Sequence, residues 1–599
     1  MRKEIEICDR CGREVESDAI VKVPERTGRR GRPRTLDLCP QCAATDTASR
    51  APTADSDEGA APPGQGGGAD AAEKASHASH DLPFARELFE AADRLRGSVE
   101  SAEYKHLVLG LLFLKYISDS FERRRAWLDQ ATRDPENADY FTEEEDARQA
   151  ILEDRDEYIS ENIFWVPEPA RFPALLSAAS LPDIGERIDR ALDTIESDNP
   201  EQLRGVLPRI YARAPIQPAK LGELVGTVAR IGFGDDPDRA RDVLGRTYEY
   251  FIREFARKEG HRGGEFYTPA SVTQLLVEML EPFEGRVLDP ACGSGGLFVQ
   301  SAEFVKAHGG RARQIAILGQ ENNQATWRIC RMNLAIHGIA NDVKLGDSLL
   351  DDKFPGVRAD FVMANPPFNM KKWGAASVAK DARWAFGEPP DLNANYAWIQ
   401  HFIHHLAPDG RAGVVMANGS LTSNMRSDGD TRRRIVEADL VDCVVALPGQ
   451  LFFTTSIPVC LWFIDRNKAS DDERDRRGET LFIDSREMGG KLSRTQIELS
   501  SEEIGRIARA YHAWRGQSGV GEYADEPGFC RAATLEDIQE AGFALTPGRY
   551  VGSAVEAEDP AAFERRMSEL IANLREELAE SERLAGAVKQ ALLAVGYEL

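Results

Sequence analysis

The chain lacks any long hydrophobic run. In 599 residues the longest uninterrupted apolar stretches, Leu107 to Leu114 (glycine included) and Ile457 to Ile464, reach eight residues. A membrane-spanning helix needs about twenty, so a transmembrane protein is excluded. The opening, MRKEIEICDRC, holds no apolar signal core, which predicts a cytoplasmic rather than an exported protein. Cysteine is scarce: nine, unevenly spread, are too few for a disulfide scaffold. Positive charge is in deficit, with 74 Lys and Arg against 99 Asp and Glu and a formal net charge of -25. Such a chain does not coat a DNA duplex unaided, because neutralising phosphates needs clustered Lys and Arg. Action on nucleic acid would run through a local basic groove or a basic partner. Hydrophobic residues at 42% still suffice for globular cores, and the length suggests about four folded units.

Four of the cysteines fall early. Cys8, Cys11, Cys39 and Cys42 form two C-x2-C pairs 27 residues apart, the spacing of a closed, structural zinc site in a zinc-ribbon-like module over 1–42. Free thiols are the alternative. Between the pairs, Arg29-Arg30-Gly31-Arg32-Pro33-Arg34 reads either as a solvated basic loop or as an AT-hook-like peptide for narrow minor grooves. Residues 43–80, rich in Ala, Gly, Pro, Ser and Asp and without an aromatic, read as a flexible linker. Helical periodicity starts at Asp81, with Phe84, Leu88 and Ala92 at spacing four, and a helical domain is expected over 81–260. From Arg286 the texture changes to short apolar runs ended by Gly, Asp or Pro: RVLDP, IAILGQ, ADFVMANPP, GRAGVVMAN and VVALPG. Helical patterns between them argue for a doubly wound α/β sheet, placed within 261–500. Over 501–599 a helical region ends in Phe563, Met567, Leu570, Leu574 and Leu578, an amphipathic helix that either packs on its own domain or meets a partner.

Four motifs carry chemistry. In Val287-Leu288-Asp289-Pro290-Ala291-Cys292-Gly293-Ser294-Gly295-Gly296 an apolar strand enters a glycine-rich turn and then a helix. Glycines admit a ligand close to the backbone and the helix start offers free N–H groups. The spacing is not that of the dinucleotide fingerprint, which speaks against NAD. Glu321 ends the next apolar segment, where a carboxylate can accept from both ribose hydroxyls; a surface carboxylate is the bland reading. Asp347, in KLGDSLL, suits either an exocyclic amine of adenine or a helix N-cap. Asn365-Pro366-Pro367-Phe368 follows the strand DFVM. Its prolines stop the strand and stiffen the turn. The Asn365 carboxamide oxygen and the Pro366 carbonyl are acceptors for a planar amine, and Phe368 offers a stacking face for an extruded base.

Together these residues resemble the S-adenosylmethionine-dependent DNA adenine methyltransferases, and most closely the modification subunit of type I restriction–modification systems. Gly264-Glu265-Phe266-Tyr267-Thr268-Pro269 precedes the glycine loop in the family order. LAPDGRAGVVMANGSL, ALPGQLFFTTSIPVCLWFI and Leu545-Thr546-Pro547-Gly548-Arg549-Tyr550-Val551 extend the likeness over about 81–595. The resemblance implies that Glu265, Phe266, Tyr267, Thr268, Pro269 and Ala270 contact S-adenosylmethionine, as do Asp289, Gly293, Ser294, Gly295 and Gly296. It places Glu321 on the ribose, Asp347 on the cofactor adenine, Asn365, Pro366 and Pro367 at the target amine, and Phe368 on the flipped adenine. It implies a helical domain that closes over DNA, a C-terminal helix that docks a specificity subunit, and a restriction subunit as a further partner.

The expected chemistry is direct methyl transfer. Acceptors at Asn365 and Pro366 draw the adenine amine toward tetrahedral geometry, and no covalent enzyme intermediate is required. Cys292 lies in the cofactor loop, not in a cytosine-methylating context. After Phe368 no room remains for two recognition domains, so a partner is expected to read the DNA sequence. Competing readings are a protein or RNA methyltransferase and a non-catalytic, cofactor-sensing DNA scaffold.

Overall fold

The computed structural model describes residues 5–7, 14–16, 21–24 and 35–38, then 83–552 apart from 98, 232–236, 260–266, 311–313, 426, 453–457, 471–472 and 494–495, and finally 567–586 apart from 569, 576 and 580. The chain divides into two compact units, Met1–Lys74 and Ala75–Leu599. In the first, β1 (Ile5–Ile7) pairs antiparallel with β2 (Glu14–Glu16), and β3 (Val21–Pro24) with β4 (Thr35–Leu38). Cys8, Cys11, Cys39 and Cys42 and the Arg29–Arg34 loop lie outside the described residues.

The second unit begins with helices. They include α1 (Pro83–Leu95), α2 (Ser101–Ala131), α3 (Ile184–Asp198), α4 (Pro218–Ala229) and α5 (Pro237–Glu259). In α3 the buried side chains Ile184, Ile188, Ala191, Leu192 and Ile195 recur at spacings of three and four, one apolar stripe facing the core. The 31-residue α2 has a different pattern: Leu107 to Leu114, Gly110 included, are buried without a break and make it the central rod of the helical core. No helix among the described residues is long and apolar enough to cross a membrane.

Helix α6 (Ala270–Leu280) leads into the sheet. Its strands are β5 (Gly285–Asp289), β6 (Ile315–Glu321), β7 (Asn341–Leu345), β8 (Ala359–Ala364), β9 (Leu406–Ala417), β10 (Val441–Ala446), β11 (Val459–Asp465), β12 (Glu479–Asp484) and, after a small β13–β14 ribbon (Gly490–Ser493 with Gln496–Glu498), β15 (Cys530–Thr534). The spatial order is β15-β12-β10-β11-β9-β8-β5-β6-β7. The run from β9 through β8, β5 and β6 to β7 is parallel; β11 runs the other way between β9 and β10. Every residue of β10 and β11 is buried, as expected where both faces of a sheet are covered.

Alternation along the strands feeds two cores. Met363, Val415, Leu461 and Phe463 point to the face covered by α6, α7 (Gly296–Ala307) and α10 (Ser501–Trp514). Val362, Val414, Cys460 and Trp462 point to the opposite face, toward α9 (Asn395–His405). One helix serves two cores. In α8 (Gln324–Ile336), Ile329, Met332 and Ile336 enter the helical core, while Cys330 and Leu334 enter the sheet core. The doubly wound sheet and the helical region are therefore as expected, but the sheet runs past residue 500: β15, in the stretch expected to be helical, pairs with β12 as its edge strand. The outer strands β12 and β15 and the reversed β11 complete the sheet.

Candidate active site

Leaving β5, the chain winds one way through β6 to β7 and the other way through β8 to β9. A crevice at the carboxyl ends of the strands forms at such a reversal. Asp289 is the last residue of β5, Glu321 the last of β6, Asp347 lies two past β7, and Asn365 follows β8 directly.

The glycine loop is built by its backbone. Buried Asp289 accepts the Ala291 N–H at 2.9 Å, and burial holds its carboxyl well above the usual carboxylate range. Gly293 and Gly295 take φ of +53° and +82°, where a side chain is strained. A Cβ at Gly295 would meet Cys330 Sγ at 3.0 Å, whereas at Gly293 and Gly296 it would enter open space. The Gly293 N–H donates to Glu321 Oε2 at 3.1 Å and Asn333 Nδ2 to the Ser294 carbonyl at 3.1 Å. The sulfurs of Cys292 and Cys330 lie 3.9 Å apart. That contact, with burial, holds the Cys292 thiol well above its ordinary pKa, so it is no nucleophile.

Asn365 is 8% exposed and linked to the segment before the glycine loop: its Nδ2 donates to Thr268 Oγ1 at 2.9 Å. The carboxamide is thereby oriented, and its Oδ1 is buried with no hydrogen-bond partner among the described residues. An unmet buried acceptor costs about 1–3 kcal/mol and persists where it has a use. Asp347 Oδ1 accepts the N–H groups of Leu349 and Leu350 at 3.0 and 3.1 Å, a cap-like turn, and its Oδ2 has no partner among the described residues. Ser348 Oγ ties that turn to the Pro290 carbonyl at 2.5 Å.

These groups share one cavity of about 320 Å³, lined by Tyr267, Pro290, Gly293, Ser294, Glu321, Asp347, Asn365 and Pro367 among others. A smaller recess of about 70 Å³ adjoins it, with Thr268, Ala270, Asp289, Gly296 and again Asn365 on its wall. The first volume falls in the small-molecule range of about 300–1,000 Å³. Of the other expected site residues, Pro269 is buried as the N-cap of α6 and Gly295 as the N-cap of α7. Pro366 and Phe368 are not on either wall; Phe368 meets Phe452 edge-on at 6.3 Å. Glu265 and Phe266 lie outside the described residues.

Several cavity residues escaped sequence reasoning. Lys105 of α2 and Ile252 and Ala256 of α5 bring the helical region onto the wall, and Trp398 of α9 and Met370 complete it. No local motif marks them; only the fold brings α2 to a loop some 160 positions later in the chain. Lys105 is the one cationic side chain on that wall among the described residues.

The arrangement fits S-adenosylmethionine: one carboxylate at a strand end and another two residues past one, a glycine cradle with open space, and a room large enough. Comparison with known proteins agrees. A family model described as N-6 DNA Methylase matches residues 239–559, and one described as the HsdM N-terminal domain matches 84–228. The MjaIX methylase subunit, a type I restriction enzyme component of Methanocaldococcus jannaschii, is 40% identical over 521 residues, covering 86% of this chain and 92% of that protein. The HindI methylase subunit of Haemophilus influenzae is 43% identical over 453 residues, 72% of this chain and all of that one. The crystal structure of a type I restriction–modification methyltransferase subunit from Streptococcus thermophilus superposes with a TM-score of 0.63 at 25% identity, over 78% of this chain and 99% of that one. The chain therefore belongs to the N-6 DNA methylase family, in its branch of type I restriction–modification methylase subunits.

Proposed function

We propose that this chain methylates N6 of adenine in DNA as the modification subunit of a type I restriction–modification complex, with the site residues acting as follows. Bound at Glu321, Asp347 and the glycine loop, S-adenosylmethionine supplies an electrophilic methyl group on a sulfonium. The chain's own residues do the rest by position and polarity. An adenine amine is a poor nucleophile because its lone pair is delocalised into the ring. Asn365 Oδ1 and the Pro366 carbonyl accept its two hydrogens and draw the nitrogen toward tetrahedral geometry. Thr268 keeps the carboxamide turned so that the oxygen, not the amide nitrogen, meets the amine. Extruding the base costs a few kcal/mol, which Phe368, turned from Phe452 onto the base, offsets by about 1–3 kcal/mol of stacking.

The observation that carries this reading is the unpartnered Asn365 oxygen on the cavity wall it shares with Glu321 and Asp347. With Asn365→Ala, methyl transfer to DNA falls about a hundredfold or more while S-adenosylmethionine binding stays within a few-fold. Thr268→Val lowers the rate and Thr268→Ser retains it. Transfer by Asn365→Ala at the parent rate, or transfer of labelled methyl to RNA or protein instead of DNA, refutes the assignment.

Two further parts of the reading concern partners and metal. Helical residues between 567 and 586 expose Met567, Leu570, Ile571, Leu574, Leu578 and Leu584, each at least 43% accessible. We assign that stripe to the specificity subunit, which supplies the sequence reading, with a restriction subunit joining the same complex. A structural zinc at Cys8, Cys11, Cys39 and Cys42 is proposed on their spacing.

A further inference from the structure

The turn that carries Asp347 is held from behind by a buried guanidinium. Arg383, 5% exposed, directs its Nη1 to the Ser348 carbonyl at 2.8 Å and its Nη2 to the Leu349 carbonyl at 2.7 Å. Each terminal nitrogen makes one further contact, Nη2 with Asp381 Oδ2 at 2.7 Å and Nη1 with His401 Nδ1 at 2.9 Å. The Trp384 ring lies 5.0 Å from the guanidinium carbon. The two carbonyls belong to the residues next to Asp347, and Ser348 itself lines the cavity.

The histidines behind Arg383 explain why this is an arginine clamp and not a metal centre. Asp352, His401 and His405 bring donor atoms within 4.8 Å of one another. A guanidinium has no lone pair, so it can only donate, and His401 Nδ1 must accept. The neutral ring then carries its proton on Nε2 and has nothing left for a metal. His405 faces acceptors on both sides, the Val357 carbonyl and Asp352 Oδ2, each at 3.1 Å. Its two ring nitrogens are thereby both engaged. His401 is thus packed between the His405 ring, 4.5 Å away, and Arg383, and accepts from the second.

We propose that Arg383 is a positioning residue of the cofactor site: it fixes the Ser348–Leu349 backbone so that Asp347 Oδ2 stays aimed at the adenine amine of the methyl donor. The inference rests on the assignment of Asp347 given above. A planar fork holds two carbonyls at set distances, which an ammonium on a flexible stem does not.

The test is binding of S-adenosylhomocysteine to the full chain by calorimetry, for Arg383→Lys, Asp381→Asn and Asp347→Asn. It is paired with kcat and KM for S-adenosylmethionine in the complex with the specificity subunit. Arg383→Lys weakens binding and raises KM about tenfold, with kcat at saturation within twofold. The loss disappears with an S-adenosylhomocysteine analogue that lacks the 6-amino group, because the turn then has nothing to hold. A merely structural role would lower affinity for both ligands alike. Should Arg383→Lys not fold, Asp381→Asn, which frees the guanidinium on one side, carries the same selective loss at smaller size. If Arg383→Lys folds and binds both ligands like the parent while Asp347→Asn does not, the clamp is refuted and the cofactor site stands. If Asp347→Asn also binds like the parent, the cofactor assignment itself falls.

Discussion

His401 shows how one buried side chain ties stability to pH. Burial, then the charges of His405 and Arg383, hold its pKa well below the usual histidine value. In the unfolded chain it titrates near about 6.5. Below that pH the unfolded state binds a proton that the folded state refuses, so stability is full above it and declines as pH falls. His404 and His512 are lowered in the same direction, chiefly by burial. Urea unfolding is expected to give a stability that drops between pH 6.5 and 5. In His401→Gln the slope is shallower by up to about 1.4 kcal/mol per pH unit. An unchanged slope would contradict a neutral His401. Asp352 acts at lower pH: burial would push its carboxyl up, but the hydrogen bond and charge of His405 prevail and bring it down to about 2. Its contribution is present above the unfolded value near about 4 and is lost as pH falls toward 2. Residues of this kind were the least legible in the sequence. Asn365, Glu321 and Asp347 could be read because each sits at or just past the end of a short strand, and for Asn365 and Glu321 that strand is apolar. Arg383 sits in KDARWAF with no period and no motif, and Thr268 was expected on the cofactor, not on Asn365.

At the scale of elements, the glycine loop separates shape from recognition. Gly295 needs its positive φ and has Cys330 Sγ where a Cβ would sit, while Gly296 opens α7 with free space beside it. Gly295→Ala is expected to destabilise the fold by about 1–2 kcal/mol from the backbone alone, with more from the clash. Gly296→Ala should leave the melting temperature unchanged and weaken S-adenosylmethionine binding. Equal melting of both variants would mean that the loop tolerates what its geometry forbids. The strands around this loop were legible because a sheet covered on both faces demands continuous apolar runs; RVLD, IAILGQE, ADFVMA and VDCVVA all became strands. The direction of β11 was not legible. VCLWFID reads the same whichever way it runs, and only pairing with β9 and β10 fixes it.

Across the second unit as a whole, the cavity and α8 join what the chain keeps far apart. Arg328 and Arg331 of α8 donate to the Gly205 and Gln202 carbonyls of the helical region at 3.0 and 2.8 Å, and Trp327 to the Val343 carbonyl of β7 at 2.9 Å. With Lys105, Ile252 and Ala256 on the wall, a ligand in the cavity touches both regions. S-adenosylmethionine at a hundred times its Kd is expected to stabilise by about 2.7 kcal/mol. Calorimetry should show the helical region and the sheet moving up together. Two transitions of which only one moves would show that the wall is not shared. A cell short of methyl donor then loses more than a reactant. Its enzyme stands empty, opens more often and meets proteases in that state, so the abundance of the protein comes to follow the supply of its donor.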